Sequence, residues 1–181
     1  MPLARWRKSR QDFELKNPWW TYRKDITILP SGKEGEYHSV HVKGSSMIIP
    51  ITDEGKIILV NQFRYLGNRE SLEFPCGSVK ERSTYDETAS HELNEETGFD
   101  ADELKCLGEF NPYNGVTDEI CKIYVARRLR AVAATHDETE EFEQVLLTPE
   151  ELDTKIQAGE IWDGMTLAAW ALTRHRLLTK G

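Results

Sequence analysis

Three carboxylates crowd one short stretch of this chain, His91-Glu92-Leu93-Asn94-Glu95-Glu96-Thr97-Gly98-Phe99. On a helix, at about 100° per residue, Glu96 falls about 40° to one side of Glu92 and Glu95 about 60° to the other. All three acids then share one narrow arc. Like charges at that spacing weaken a helix, so a cation among them would relieve the strain. Hard divalent ions such as Mg²⁺ take oxygen ligands and commonly work beside substrate phosphates. A solvated acidic helix face has the same spacing, and the arc alone leaves both readings open.

The flanking residues favour a built site. Upstream lies the apolar run Glu73-Phe74-Pro75-Cys76-Gly77, which reads as a strand ending in a glycine turn. Thr84 and Glu87 have the capping-box spacing and predict a helix starting near Tyr85. Gly98 suits the left-handed position that closes such a helix. Tyr85, Ala89 and Leu93 lie on the arc beside the acids and are its expected anchors on a core. The unit reads as strand, glycine loop, capped helix and glycine stop.

This unit resembles the Nudix box, whose pattern is G-x5-E-x7-R-E-U-x-E-E-x-G-U with U a bulky apolar residue. Gly77, Glu92, Leu93, Glu95, Glu96, Gly98 and Phe99 match it. Two positions depart: Ser83 stands where the pattern has Glu, and His91 where it has Arg. The resemblance implies Glu92 and Glu96 as the main metal ligands, Glu95 as a further ligand or a base, and the Cys76 carbonyl as another oxygen ligand. It implies Mg²⁺ as the cofactor, with Mn²⁺ as a substitute. The family's Arg holds acids of the box in place. His91, one turn before Glu95, can do so only partly, because a neutral imidazole has one donor. Weakened or metal-selective catalysis is the expected consequence.

Beyond the box, over roughly residues 20–178, the chain is similar to the ADP-ribose pyrophosphatase-like group of that family. Gln62-Phe63-Arg64 matches the group's Q-x-R at a strand end, which implies that Arg64 meets substrate phosphates, with Glu73 a second substrate contact. Pro112 to Glu119 resembles the group's segment after the box, about two residues longer here, and implies that Glu119 contacts substrate or a metal-bound water. His136-Asp137-Glu138-Thr139-Glu140-Glu141 matches the acidic loop that supplies the general base, with Glu138 and Glu140 as the aligned residues. Asn17 to Arg23 falls in the segment by which these enzymes dimerise. Trp20, with Arg23 beside it, is a candidate to stack on an adenine base, although adjacent tryptophans equally suit a dimer interface.

The implied reaction is metal-dependent hydrolysis of the pyrophosphate bond of a nucleoside diphosphate linked to X, with ADP-ribose giving AMP and ribose 5-phosphate as the leading case. A sugar nucleotide or dinucleoside polyphosphate is the alternative substrate, and a nucleotide-binding module with weakened catalysis the alternative class.

The elements that must position these residues follow from the remaining pattern. At 181 residues the chain fits one catalytic domain with a real core. Extended runs between Trp19 and Val42 flank Pro30-Ser31-Gly32-Lys33-Glu34-Gly35, a hairpin signal. Residues 1–18 are polar and expected to be loosely held. Strands are predicted over Ser46–Ile51, Lys56–Arg64, Leu104–Asn111, Ile120–Leu129 and Phe142–Leu147. Thr148-Pro149-Glu150-Glu151 starts a second helix that Gly159 stops. A last helix is predicted over about Met165–Leu178, with Leu167, Ala171 and Leu178 as core candidates. The pattern is α+β, or mixed α/β. The resemblance implies a Nudix fold with a mixed sheet sandwiched between helices. Residues 1–45 read as an amino-terminal β-hairpin extension for dimerisation and 46–181 as the hydrolase domain.

Composition narrows the partners. A net charge of −8 argues against nucleic acid and an anionic membrane surface, and no apolar run reaches the roughly 20 residues of a spanning helix. The basic amino terminus lacks the apolar stretch of a signal peptide. Cys76, Cys106 and Cys121 are odd in number and far apart, which suits buried thiols in a reducing cytoplasm better than a zinc site.

Overall fold

The polar amino-terminal stretch does not hang loosely. In the computed structural model, which describes residues 3–132 and 143–178, Arg7–Lys16 is a strand, β1, exposed along its whole length. It pairs antiparallel with β2 (Thr21–Ile28), and β2 pairs antiparallel with β3 (Glu34–His41) across the predicted hairpin. Backbone ladders and cross-strand ion pairs hold β1 in place. Lys8 meets Asp25 at 2.7 Å, Arg23 meets Glu14 at 3.1 Å, and Lys24 sits between Asp12 and Glu36 at 3.1 and 2.9 Å. Such a strand shows no apolar alternation, so hydropathy hides it. These strands and Asn111–Ile120 form one compact unit. Within it the Val40 N–H donates to the Val116 carbonyl at 2.8 Å, and the Tyr37 hydroxyl donates to the Gly115 carbonyl at 3.1 Å.

The second unit contains Gly44–Phe110 and the chain from Cys121 onward. Its strands are β4 (Ser45–Pro50), β5 (Ile57–Arg64), β6 (Arg69–Glu73) and β7 (Cys76–Ser78), then, after helix α1 (Tyr85–Thr97), β8 (Phe99–Phe110), β9 (Cys121–Ala131) and β10 (Glu143–Leu147). Helices α2 (Pro149–Gln157) and α3 (Gly164–Leu178) follow. One sheet has the order β7-β4-β9-β8, with β4 and β9 parallel and the other pairs antiparallel, and a second has the order β10-β5-β6. Every residue of β4 is buried, as expected of a strand covered on both faces. Alternation along β4 and β9 divides the core. Met47, Ile49, Cys121, Ile123 and Val125 pack toward Leu59, Phe74, Leu152, Ile161 and Trp170, while Ile48, Tyr124 and Ala126 pack beneath Ala89 and Leu93 of α1. The mixed sheet thus lies between α1 and the α2–α3 side, and the expected α+β layering holds.

Three local expectations are corrected. Gly77 lies within a short strand, β7, rather than in a loop, because Ser46 of β4 pairs with it. Strand β8 starts at Phe99, straight after the helix stop, since its polar first turn is recruited by pairing with Ala131 and Arg130. On α3, Ala171 and Leu178 are exposed, and Thr166, Ala169, Trp170 and Thr173 are the buried face. The threonines disguise that face in the sequence. Buried hydroxyls are tolerated when bonded: Thr173 donates to the Ala169 carbonyl at 2.7 Å, and Thr166 accepts from the Phe74 N–H at 3.1 Å.

Candidate metal and diphosphate site

Helix α1 presents the acids, and local sequence fixes both its ends. The Glu87 N–H donates to the Thr84 hydroxyl at 3.2 Å, and the Thr84 N–H donates back to the Glu87 carboxylate at 2.8 Å. The Thr84 N–H, and next the Thr84 hydroxyl donating to the same carboxylate at 2.9 Å, hold the Glu87 carboxyl below its ordinary range. Gly98 closes the helix in the left-handed conformation, φ 68°, with its N–H on the Asn94 carbonyl. Ala89 and Leu93 are fully buried and Tyr85 packs beside them, as the arc required.

With its register set, α1 turns Glu92 toward β7. A β-carbon built on Gly77 would overlap the Glu92 carboxylate, so the absent side chain is what lets the acid lie against the strand. Glu96, one turn on, is 5% exposed and accepts the Cys76 N–H at 3.2 Å. Glu95 lies on the other side of the arc, 2.7 Å from Nδ1 of His91. His91, Glu92 and Glu95 bring potential ligand atoms within 4.8 Å of one another. The expected grouping of Glu92, Glu95 and Glu96 is therefore distributed: one carboxylate lies against Gly77, one is tied to the β7 backbone, and one is held by His91. His91 stands where the sequence expected it, with its ring nitrogen against the acid one turn later.

An open cleft of about 140 Å³ runs along this face, lined by Ser78, Lys80, Ser83, Thr88, His91 and Glu92 among others. Ser83 thus lies in the same cleft as Glu92. Lys80 and Ser78 belong to it too. They carry no motif signal and enter only because the chain between β7 and α1 folds over the helix.

The chain's own donors suit a hard divalent cation. Carboxylate oxygens dominate, the bare Gly77 backbone seats one of them against β7, and the cysteine sulfur does not compete. The Cys76 thiol is pushed well above its usual range, first by its hydrogen bond to Cys121, then by burial and the nearby acids, which keeps it neutral. No disulfide forms among the described residues, and Cys106 is exposed rather than buried.

Arg64, at the end of β5, is engaged by Glu73 of β6. Its Nε donates to Oε1 at 2.8 Å and its Nη2 pairs with Oε2. Glu73 is 3% exposed. The pair raises the Arg64 pKa, and the carboxylates of Asp163 and Glu96 add smaller contributions in the same direction. Asp163 was not singled out by sequence, although its side chain caps α3 through the Thr166 N–H at 2.7 Å, and an Asp before a helix is a capping signal.

Trp20, Arg23 and Glu119 lie in the first unit. There the Trp20 N–H donates to the Asn17 side chain at 2.8 Å, Arg23 pairs with Glu14, and Asn111 donates to the Glu119 carbonyl at 2.7 Å. Glu138 and Glu140 lie outside the described residues. No helix among the described residues is long and apolar enough to cross a membrane.

Comparison with known proteins follows the same lines. A family model described as the NUDIX domain matches residues 42–168. An ADP-ribose pyrophosphatase of Bacillus subtilis (strain 168) is 33% identical, over 82% of this chain and 80% of its own length. A methanol dehydrogenase activator of Bacillus methanolicus is 34% identical, over 80% of each chain. A crystal structure of an ADP compounds hydrolase superposes with a TM-score of 0.85, covering 98% of this chain and 96% of that one at 21% identity.

Proposed function

The chain belongs to the NUDIX family and is a Nudix hydrolase, and on that premise we propose that it cleaves the pyrophosphate bond of ADP-ribose, giving AMP and ribose 5-phosphate. The observation that carries the reading is the Glu92 carboxylate laid against Gly77, with Glu96 and Glu95 one turn or less away on the same helix. The similarity to the Bacillus subtilis ADP-ribose pyrophosphatase supports the choice of substrate.

Glu92, Glu95 and Glu96, with the Cys76 carbonyl, would hold Mg²⁺, for which Mn²⁺ can substitute. When bound, such a cation neutralises the diphosphate and lowers the pKa of a coordinated water. The protein's own groups do the rest. Glu96 is oriented by the Cys76 N–H, and Glu95 by His91. Arg64 meets phosphate, since a guanidinium fits two phosphate oxygens at once. The attacking water's proton passes to Glu95, Glu138 or Glu140. Trp20, Arg23 and Glu119 belong to the reading as contacts for the nucleoside and the leaving group.

The first unit serves as the dimerisation element, which is supported by its exposed Trp6, Phe13, Leu15, Trp19 and Tyr37. A cytoplasmic setting suits three cysteines without a disulfide. A small nucleotide rather than nucleic acid is the partner, in keeping with the acidic chain.

The test is direct. Purified protein with ADP-ribose and Mg²⁺ or Mn²⁺ should release AMP, and Glu92→Gln and Glu96→Gln should each lower kcat at least 100-fold. No AMP with either ion overturns the proposal. A panel of sugar nucleotides and dinucleoside polyphosphates then identifies a different substrate, and stabilisation by ADP-ribose without turnover identifies a binding module.

A further inference from the structure

Arg64 and Glu73 carry more than a phosphate contact and a second substrate ligand. They lie on the antiparallel pair β5–β6, and Glu73 is almost wholly buried. A buried carboxylate without a cation is costly, and here Arg64 supplies the charge. The grip uses one edge of the guanidinium, Nε on Oε1 at 2.8 Å and Nη2 on Oε2, while Gln62 Nε2 stands 3.5 Å from Oε2. Nη1 has no hydrogen-bond partner among the described residues, and 47% of the Arg64 side chain remains accessible. Glu96 of α1 and Asp163 at the start of α3 lie near enough for their charges to act on the guanidinium. The guanidinium as a whole therefore lies within reach of the charge on Glu96, on whose helix the hydrolase reading places the diphosphate.

A long flexible cation loses rotamer freedom when it binds a ligand. A carboxylate that already fixes one edge of the fork removes part of that loss and sets the plane in which the other edge points. We propose that Glu73 is a positioning residue rather than a substrate contact: it grips the Nε/Nη2 edge of Arg64 and so presents Nη1 to a phosphate of a nucleoside diphosphate held beside Glu96. The proposal rests on the hydrolase reading for where the diphosphate lies, but its test does not depend on turnover.

The test is a double-mutant cycle on the binding of ADP in Mg²⁺, measured by calorimetry. Glu73→Gln and Arg64→Met should each weaken ADP binding about tenfold, and the double variant should be no weaker than Arg64→Met alone. Additive losses would make Glu73 a separate substrate contact and overturn the proposal. Unchanged ADP affinity in Glu73→Gln would make it purely structural and overturn the proposal equally. If Glu73→Gln fails to fold, Glu73→Asp keeps the charge but withdraws the carboxylate by one methylene. It should lose ADP affinity in the same direction, and wild-type affinity there sinks the idea. In turnover assays Glu73→Gln should raise KM more than it lowers kcat. Absence of ADP-ribose hydrolysis alongside a non-additive cycle would refute the substrate and leave the Arg64–Glu73 device intact, whereas turnover with an additive cycle would refute only the device.

Discussion

Among single residues, Gly77 and His91 separate stability from chemistry most cleanly. A β-carbon at Gly77 meets the far end of a flexible side chain, the Glu92 carboxylate. The acid yields before the backbone does. Gly77→Ala should therefore melt within a few degrees of wild type while losing Mn²⁺ affinity about 10–100-fold, the usual penalty for disturbing a ligand's support. Electron paramagnetic resonance titration with Mn²⁺ checks it, and an unaltered affinity would remove Glu92 from the ligand set. Nδ1 of His91 lies 2.7 Å from the Glu95 carboxylate. His91→Ala releases that carboxylate and should lower kcat several-fold without moving the melting temperature by more than a few degrees. His91→Arg, which offers more donors in a planar fork, should retain or exceed the wild-type rate.

At the scale of elements, each helix is secured by a short polar device. Thr84→Ala removes the hydroxyl half of the α1 capping box and leaves the backbone N–H at position 84 on the Glu87 carboxylate; it should cost about 1 kcal/mol, read from urea unfolding. Helices α2 and α3 are joined through Asp153, which accepts from Trp170 Nε1 at 2.8 Å and from Arg174 Nε at 2.9 Å. Those bonds, the one from Arg174 foremost, hold the Asp153 carboxyl below its ordinary range. A depressed folded-state pKa contributes stability above the unfolded value, about 3.9, and loses it as the pH falls through the lower folded value. Asp153→Asn should thus melt below wild type at neutral pH, and the gap should close as the pH falls below about 4. A gap independent of pH would contradict the ion-pair account.

For the whole molecule, the exposed β1–β3 sheet makes the main prediction. Phe13 and Leu15 are each about half exposed on β1, and single exposed apolar residues are ordinary whereas clusters mark contacts. Light scattering should give twice the chain mass for wild type. Phe13→Glu combined with Leu15→Glu should shift it toward one chain mass while circular dichroism stays unchanged. A wild-type monomer at micromolar concentration would refute the dimerisation role of this unit.

The sequence alone determined the helix that bears the acids, its cap at Thr84, its stop at Gly98 and its anchors Ala89 and Leu93, because capping and helical periodicity are local physics. It also singled out Arg64 and the consequence of His91 beside Glu95. Tertiary structure decided the rest. Only the pairing of β7 with β4 brings Gly77 under Glu92, and only the β5–β6 pairing, which sets Glu73 opposite Val60, puts Glu73 within reach of the long Arg64 side chain. Strand β1 and the threonine-lined face of α3 were illegible for one shared reason. Both rely on polar contacts, β1 on ladders and ion pairs to β2 and the α3 threonines on the Phe74 N–H and the Ala169 carbonyl, and such bonds leave no apolar period in the residues that make them.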